Sequence, residues 1–181
     1  MRLFIAVELP DEVKEKIAGL VSELKKEVAG VRWVEGKNLH LTLKFLGWVE
    51  DKKMGEVNAL MERAAKGCGG FKAKVEGAGS FPEGKPPRVI WVGFSEGSDK
   101  LKSLAEGIEK LFSHAGYRQE EKEFASHVTI GRVKEAGNIR EKLAGSKKAA
   151  FGEFFIGALA LMKSELTPQG PIYEKLKEVK L

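Results

Sequence analysis

The sequence repeats one pattern of apolar, histidine and threonine residues at an offset of 87 positions. His40-Leu41-Thr42-Leu43 in the first half corresponds to His127-Val128-Thr129-Ile130 in the second half. An amphipathic run precedes each motif, and its apolar residues align at the same offset: Ile17, Val21 and Leu24 with Leu104, Ile108 and Leu111. Two units of 87 residues account for 174 of the 181 residues, so the chain is predicted to be a fused duplication with units of about 1–87 and 88–174.

Hydrophobic periodicity predicts the same order of elements in both units: strand, helix, motif strand, helix, strand. In the first unit we expect these elements at residues 2–8, 11–29, 39–47, 52–66 and 71–78. In the second unit we expect them at residues 88–94, 98–115, 124–133, 138–146 and 151–163. The offset aligns Val89–Phe94 with Arg2–Val7, and Ser98 is the expected N-cap of the second long helix. Residues 172–179 alternate apolar and charged side chains, which favours a closing strand over a short helix.

Composition excludes several classes of protein. Hydrophobic residues make up 43% of the chain and charged residues 31%, an ordinary globular balance. The longest apolar stretch, Phe154–Met162, is shorter than the roughly 20 residues that a membrane-spanning helix needs. The first residues contain too short an apolar segment for a secretory signal. Cys68 is the single cysteine, so we expect no disulfide, no thiolate metal cage and a cytoplasmic location.

The charged residues leave the partner open. A net charge of +5 is compatible with a polyanion such as RNA, but the basic residues are mixed with acidic ones rather than grouped. The 24 lysines and 23 glutamates, against very few amides, resemble the composition of proteins from thermophiles.

Each motif strand offers one imidazole beside one hydroxyl. Positions i and i+2 of a strand face the same way, so His40 pairs with Thr42 and His127 with Thr129, while the apolar residues between them face a core. In-line displacement at phosphorus needs one group to accept a proton and another to donate one from opposite sides. Two imidazoles with pKa values near 6.5 suit this task, and two hydroxyls suit the non-bridging oxygens. The near-symmetry of the motifs leaves open which histidine is the acid.

These motifs resemble those of a known family. His40-Leu41-Thr42-Leu43-Lys44-Phe45-Leu46-Gly47 and Ser126-His127-Val128-Thr129-Ile130-Gly131-Arg132 are similar to the paired motifs of the two-histidine phosphoesterase superfamily. The likeness is strongest to the RNA 2',3'-cyclic phosphodiesterases, also named 2'-5' RNA ligases. It extends to Arg2–Val7, Arg32–Val34, Ser80–Pro82 and Pro87–Val89, and so covers nearly the whole chain.

The resemblance implies a fold, a reaction and roles for residues. The implied fold is α+β and bilobal, with antiparallel sheets, helices outside and a central positive cleft carrying both motifs in one domain over residues 1–181. The implied reaction is metal-independent and cofactor-independent hydrolysis of a terminal 2',3'-cyclic phosphate of RNA to a 2'-phosphomonoester. His40 would donate the proton to the departing 3' oxygen, His127 would activate water, and Thr42 and Thr129 would orient the phosphate. Ends derived from tRNA are among the candidate substrates, and a monomer without membrane contact is expected.

Four further residues are candidates for binding the substrate: Arg132, Lys44, Trp33 and Phe45. Arg132 would add positive charge at the phosphate, but it has the opposite strand parity to His127 and needs a bulge near Gly131 to reach the groove. Trp33 and Phe45 could stack on an unpaired base, although core packing is the default expectation for both.

Three alternatives remain to be weighed. A zinc site lacks ligands, because the chain repeats histidine with threonine rather than with histidine or a carboxylate. A module that binds RNA ends without turnover would also place two histidines on a phosphate. The same two residues could instead join RNA ends through a 2'-5' linkage, with a ribose hydroxyl in place of water.

Overall fold

The computed structural model describes residues 1–135 and 137–181, and within them it contains four α-helices and nine β-strands. The helices are α1 (Asp11–Glu27), α2 (Met54–Lys66), α3 (Ser98–His114) and α4 (Ile139–Leu143). The strands are β1 (Arg2–Glu8), β2 (Val31–Trp33), β3 (His40–Trp48), β4 (Phe71–Phe81), β5 (Val89–Glu96), β6 (His127–Val133), β7 (Ala150–Ile156), β8 (Ala158–Thr167) and β9 (Gly170–Lys180). The α+β content expected from the sequence is confirmed.

The two long helices form because apolar side chains recur on one face of each. The buried residues are Val13, Ile17, Val21 and Leu24 in α1, and Leu101, Leu104, Ala105, Ile108 and Phe112 in α3. The expected capping role of Ser98 is wrong, because Gly97 precedes α3 with a φ of 80°, in the region that favours glycine. The Ser98 hydroxyl is instead hydrogen-bonded to the Ser126 hydroxyl at 2.7 Å, which ties the start of α3 to the residue before His127.

The described strands form one antiparallel sheet in the order β7-β4-β5-β6-β3-β1-β8-β9, with β2 added beside β6. The motif strands β6 and β3 lie at its centre. Among the described residues they are joined by one pair only, Leu41 with Val128. The two sheets expected from the sequence are therefore two halves of one sheet that meet at this seam.

The equivalent strands of the two sequence units lie at mirrored positions on either side of the seam. β3 mirrors β6, β1 mirrors β5, and β8 mirrors β4. The first unit contributes β4 to the half that contains β5 and β6, and the second unit contributes β8 to the half that contains β1 and β3. Each half of the sheet is thus built from both sequence units.

The first strands of the two units align two residues away from the expected register. Glu8 pairs with His40 and Gly93 pairs with His127, so Glu8 corresponds to Gly93 at an offset of 85. The alignment of Val89–Phe94 with Arg2–Val7 is therefore wrong by two positions. The two additional residues lie between Gly93 and the start of α3, because α1 and α3 begin at the expected offset of 87.

The strand expected over residues 151–163 is two strands. β7 ends at Ile156 and pairs with β4, whereas β8 begins at Ala158 and pairs with β1 in the other half of the sheet. Gly157 is the residue at which the chain passes between the halves. The apolar pattern runs on through this point because both strands are partly buried. The closing strand expected over residues 172–179 is confirmed as β9.

The two faces of the sheet have different partners. One face packs against the helices and forms the main core, which includes strand residues Leu3, Ile5, Leu41, Val128 and Ile130. The opposite face carries a small apolar cluster of Phe4, Ala6, Ala160 and Met162, with Tyr173 packed beside it. Since alternate residues of a strand point to opposite faces, His40 and Thr42 lie on this second face.

A β-bulge sends Lys44 into the main core. Between Ile5 and Ala6 the pairing on β3 moves from Lys44 to Thr42, which leaves Leu43 unpaired. Leu43 and Lys44 consequently both face the helices, and the Lys44 side chain is 0% exposed. This burial contradicts the expectation that Lys44 contacts the substrate.

The buried Lys44 ammonium is held by groups from the second sequence unit. It donates to Glu109 Oε2 on α3 at 2.6 Å and to the Arg118 carbonyl oxygen at 2.9 Å. Glu109 Oε1 accepts from the Glu120 backbone N–H at 3.2 Å. Lys44 and Glu109 therefore fix β3 against the segment that leads into His127.

We expect Glu109→Gln to lower the free energy of unfolding by about 3 kcal/mol, because it leaves the Lys44 charge buried without its counterion. Urea unfolding followed by circular dichroism measures this loss. Glu23→Gln, which breaks the exposed pair with Lys26, is the control and should change little. Adding Lys44→Met to Glu109→Gln should recover most of the loss, and a double variant as unstable as Glu109→Gln would contradict the role of the buried charge.

Candidate active site

The antiparallel seam places the two His-x-Thr motifs side by side. Continuing the register from Leu41 and Val128 by one residue sets His40 opposite Thr129 and Thr42 opposite His127. The two histidines are then diagonal neighbours, a relation that separates side chains by about 7 to 8 Å. Both imidazoles are half-buried and lie on the face of the sheet away from the helices, and we call the surface between them the groove.

The same local device orients both imidazoles. His40 Nδ1 lies 2.7 Å from the Asn38 carbonyl oxygen, and His127 Nδ1 lies 2.7 Å from the Ala125 carbonyl oxygen. A carbonyl oxygen only accepts, so Nδ1 carries the hydrogen in each ring. Nε2 is therefore the free basic nitrogen, and in His40 it lies 3.1 Å from Thr42 Oγ1, which can donate to it.

Burial controls the charge of both imidazoles. Desolvation lowers the pKa of His40 below its ordinary value; the bond to the Asn38 carbonyl opposes this shift and the Lys14 ammonium adds to it. Desolvation also lowers the pKa of His127, where the Ala125 carbonyl opposes the shift and the Arg132 guanidinium adds to it. Both rings are therefore predominantly neutral at pH 7.

Aromatic rings supply much of this burial. Tyr173 packs edge-on against His40, with ring centroids 5.1 Å apart, and Phe4 lies 4.9 Å away. Phe81 packs edge-on against His127 at 5.3 Å. None of these three contacts was expected. Phe4 and Phe81 lie in segments that carry the family resemblance, whereas Tyr173 had no signal beyond its place in an alternating strand.

Arg132 lies on the same face as His127 because of a β-bulge. Simple alternation along β6 would place Arg132 on the opposite face, so the expected bulge near Gly131 is confirmed. Between Ile90 and Trp91 the pairing on β6 moves from Gly131 to Thr129, so Ile130 is unpaired. Ile130 and Gly131 both face the core, and Arg132 turns to the side of His127. Its guanidinium lowers the pKa of His127 and opposes the burial that raises the pKa of Tyr173, so its charge acts on both walls of the groove.

The two aromatic candidates lie on opposite faces of the sheet. Phe45 occupies the position equivalent to Arg132 and is 52% exposed beside Phe4, so the default expectation that it packs in the core is wrong. Trp33 lies over Gly131, on the face opposite to Arg132, and packs against the main core. This placement agrees with core packing, the default expectation for Trp33, rather than with stacking on a substrate base.

Within residues 1–135 and 137–181, no three histidine, cysteine, aspartate or glutamate side chains are grouped as a metal ion would need. No helix in the described part of the chain is both long and apolar enough to cross a membrane.

The chain is similar to known proteins over nearly its whole length. The LigT like Phosphoesterase family model matches the chain twice, over residues 7–91 and 92–173. The RNA 2',3'-cyclic phosphodiesterase of Methanocaldococcus jannaschii is 38% identical over 181 residues, which cover 98% of this chain and 99% of that protein. The crystal structure of TT0787 of Thermus thermophilus has a TM-score of 0.81 at 32% identity, and covers 100% of this chain and 98% of its own. E. coli LigT complexed with 3'-AMP has a TM-score of 0.81 at 27% identity, with coverage of 99% and 97%. The chain therefore belongs to the LigT-like phosphoesterase family.

Proposed function

We propose that this protein hydrolyses the terminal 2',3'-cyclic phosphate of RNA to a 2'-phosphomonoester. The observation that carries the proposal is the pair of imidazoles on one face of the sheet, each with Nδ1 bound to a carbonyl and Nε2 left as the basic nitrogen. The name of the M. jannaschii relative, an RNA 2',3'-cyclic phosphodiesterase, supports the substrate class.

The reaction needs one imidazole in each protonation state. His127 Nε2 accepts a proton from the attacking water as the new P–O bond forms. The P–O3' bond breaks on the opposite side, and the proton on His40 Nε2 passes to the departing 3' oxygen. The products are a 2'-phosphomonoester and a 3'-hydroxyl. Burial alone disfavours the charged form of His40. A phosphate anion bound in the groove stabilises this imidazolium and so favours the state with one charged and one neutral imidazole.

The remaining groove residues hold the phosphate. The hydroxyls of Thr42 and Thr129 lie opposite the two histidines across the seam and donate to the non-bridging oxygens. Arg132 adds a permanent positive charge, and exposed Phe45 offers a flat apolar surface for a base. These donors carry the negative charge of the transition state with side chains alone, so we propose that the reaction needs neither a metal ion nor a cofactor.

The proposed domain organisation is one domain over residues 1–181 that arose by duplication of units of about 87 residues. Two observations support it. The equivalent strands mirror each other across the seam, and the family model matches each half of the chain.

Replacing either catalytic histidine should abolish most of the activity on an oligoribonucleotide that ends in a 2',3'-cyclic phosphate. We expect His40→Asn and His127→Asn each to lower kcat by about 10² to 10⁴-fold, the usual worth of a general acid or base. His114→Asn is the control, since His114 ends α3 and bonds the Lys110 carbonyl. The assay contains EDTA, and chromatography identifies the product. The proposal would be overturned by a 3'-phosphate product, by a requirement for a metal ion, or by unchanged turnover in both histidine variants. Formation of a 2'-5' junction when a 5'-hydroxyl RNA is supplied would favour ligation.

Nuclear magnetic resonance can test the shared orientation of the imidazoles. Long-range ¹H–¹⁵N correlation spectra at pH 8 should show protonated Nδ1 and unprotonated Nε2 in both His40 and His127, because each Nδ1 faces a carbonyl oxygen. His40→Asn and His127→Asn assign the signals. The opposite tautomer in either ring would contradict the assigned roles, since Nε2 would no longer be the basic nitrogen.

The rate should depend on pH as a bell with an acidic optimum. The active free enzyme has one imidazole charged and one neutral, and both pKa values are lowered, so kcat/KM should peak below pH 6.5. The optimum of kcat should lie higher, because bound phosphate stabilises the imidazolium. Histidines that prefer the neutral form contribute stability above pH 6.5, and this stability is lost as the pH falls through their folded-state pKa values. Circular dichroism at each pH therefore distinguishes a loss of catalysis from unfolding. A kcat/KM optimum above pH 7 would contradict the assignment.

A further inference from the structure

A pocket of about 430 Å³ opens beside His40 and extends away from the seam. Its polar residues include Lys14 on α1 and Lys37 and Asn38 before β3. Its apolar side is formed by Met162 on β8 and by Ile172 and Tyr173 on β9. The volume is in the range of pockets that hold small organic ligands, about 300 to 1,000 Å³.

The positive charge of this pocket comes chiefly from Lys14. Lys14 is half-buried, it lies close enough to His40 to lower the pKa of that imidazole, and no carboxylate of the described residues forms an ion pair with it. Lys37 pairs only with exposed Glu35, an interaction that contributes little. Lys175 and Glu8 also line the pocket, but Glu8 and Glu178 lie 2.7 and 3.1 Å from the Lys175 ammonium, so these three residues add no net positive charge.

The pocket breaks the symmetry of the two sequence units. At the offset of 87, the positions of Lys14, Lys37 and Asn38 correspond to Leu101, Phe124 and Ala125. Leu101 is buried in the main core. The groove therefore has cationic residues beyond His40 at positions where the His127 side has apolar ones.

The chemistry of ribose determines which part of an RNA lies on each side. C3' is bonded to C4', which carries C5' and the phosphodiester to the preceding nucleotide, whereas C2' is bonded to C1', which carries the base. If His40 protonates the departing 3' oxygen, the 5' phosphodiester leaves the site on the side of His40. An anionic strand that leaves there meets Lys14 and Lys37.

We propose that this pocket binds the phosphodiester and nucleoside that precede the terminal nucleotide. The phosphate lies at Lys14 and Lys37, where charge-assisted hydrogen bonds hold it. The preceding nucleoside packs on the wall of Ile172 and Tyr173, and Ile172 is 59% exposed without it. The assignment rests on the proposed function and on His40 as the acid. It makes the protein selective for oligonucleotide ends over mononucleotides.

Three cyclic phosphates of increasing length test this subsite. They are adenosine 2',3'-cyclic phosphate with a 5'-hydroxyl, the same nucleotide with a 5'-phosphate, and a diadenylate that ends in the cyclic phosphate. We expect kcat/KM to rise at each step. In Lys14→Met, the ratio of kcat/KM for the diadenylate to that for the 5'-hydroxyl mononucleotide should fall about tenfold, mainly through KM, the loss expected for one charge-assisted bond.

Matched variants separate the possible causes. Lys16→Met removes an exposed lysine from the same helix and should keep the wild-type ratio. Lys14→Arg keeps the positive charge and should keep most of the wild-type ratio of kcat/KM values. Taking the ratio removes any effect of Lys14 on the pKa of His40, because both substrates use that imidazole. A ratio that is unchanged in Lys14→Met, because both substrates keep their activity or lose it equally, overturns the subsite. A wild-type enzyme that turns over none of the three substrates overturns the proposed function itself.

Discussion

The pairing of Leu41 with Val128 is the contact on which the candidate site depends. It is the one backbone pair that joins the motif strands in the described chain, and it sets each histidine opposite the other motif's threonine. The register is specified by burial, because Leu41, Val128 and Ile130 lie in the main core. A slip of one residue would turn these side chains to the groove and the imidazoles to the core, so hydrophobic burial on one face fixes the chemistry on the other.

The internal repeat and strand alternation were sufficient to predict the helices, the motif strands and the shared face of histidine and threonine. They were not sufficient to place Lys44. Alternation assigns Lys44 to the same face as His40, but the bulge at Leu43 reverses it, and an ordinary leucine gives no local sign of a bulge. Its counterion, Glu109, is 65 residues away, and such a long-range contact leaves no local pattern. In the second sequence unit, Gly131 and the strand parity of Arg132 indicated a bulge. The first unit has no such sign.

The two bulges use one backbone irregularity for two different purposes. In each strand, the second residue after the unpaired one lies on the face of the histidines: Phe45 in β3 and Arg132 in β6. The imidazoles retain the same carbonyl contacts, while their surroundings differ in charge and shape. The mirrored strands thus hold two imidazoles in matched backbone settings, and the differences between the two sequence units make the surroundings of the imidazoles unequal.

The exchange of β4 and β8 between the sequence units has a consequence for how the molecule comes apart. Neither half of the sheet is encoded by a continuous stretch of chain, so unfolding either sequence unit removes an inner strand, β4 or β8, from the half that the other unit mainly builds. Severing the chain near residue 87 would give two fragments that each lack a neighbour for an inner strand. The 181 residues should accordingly behave as a single calorimetric unit, and the groove should persist until that unit is lost as a whole.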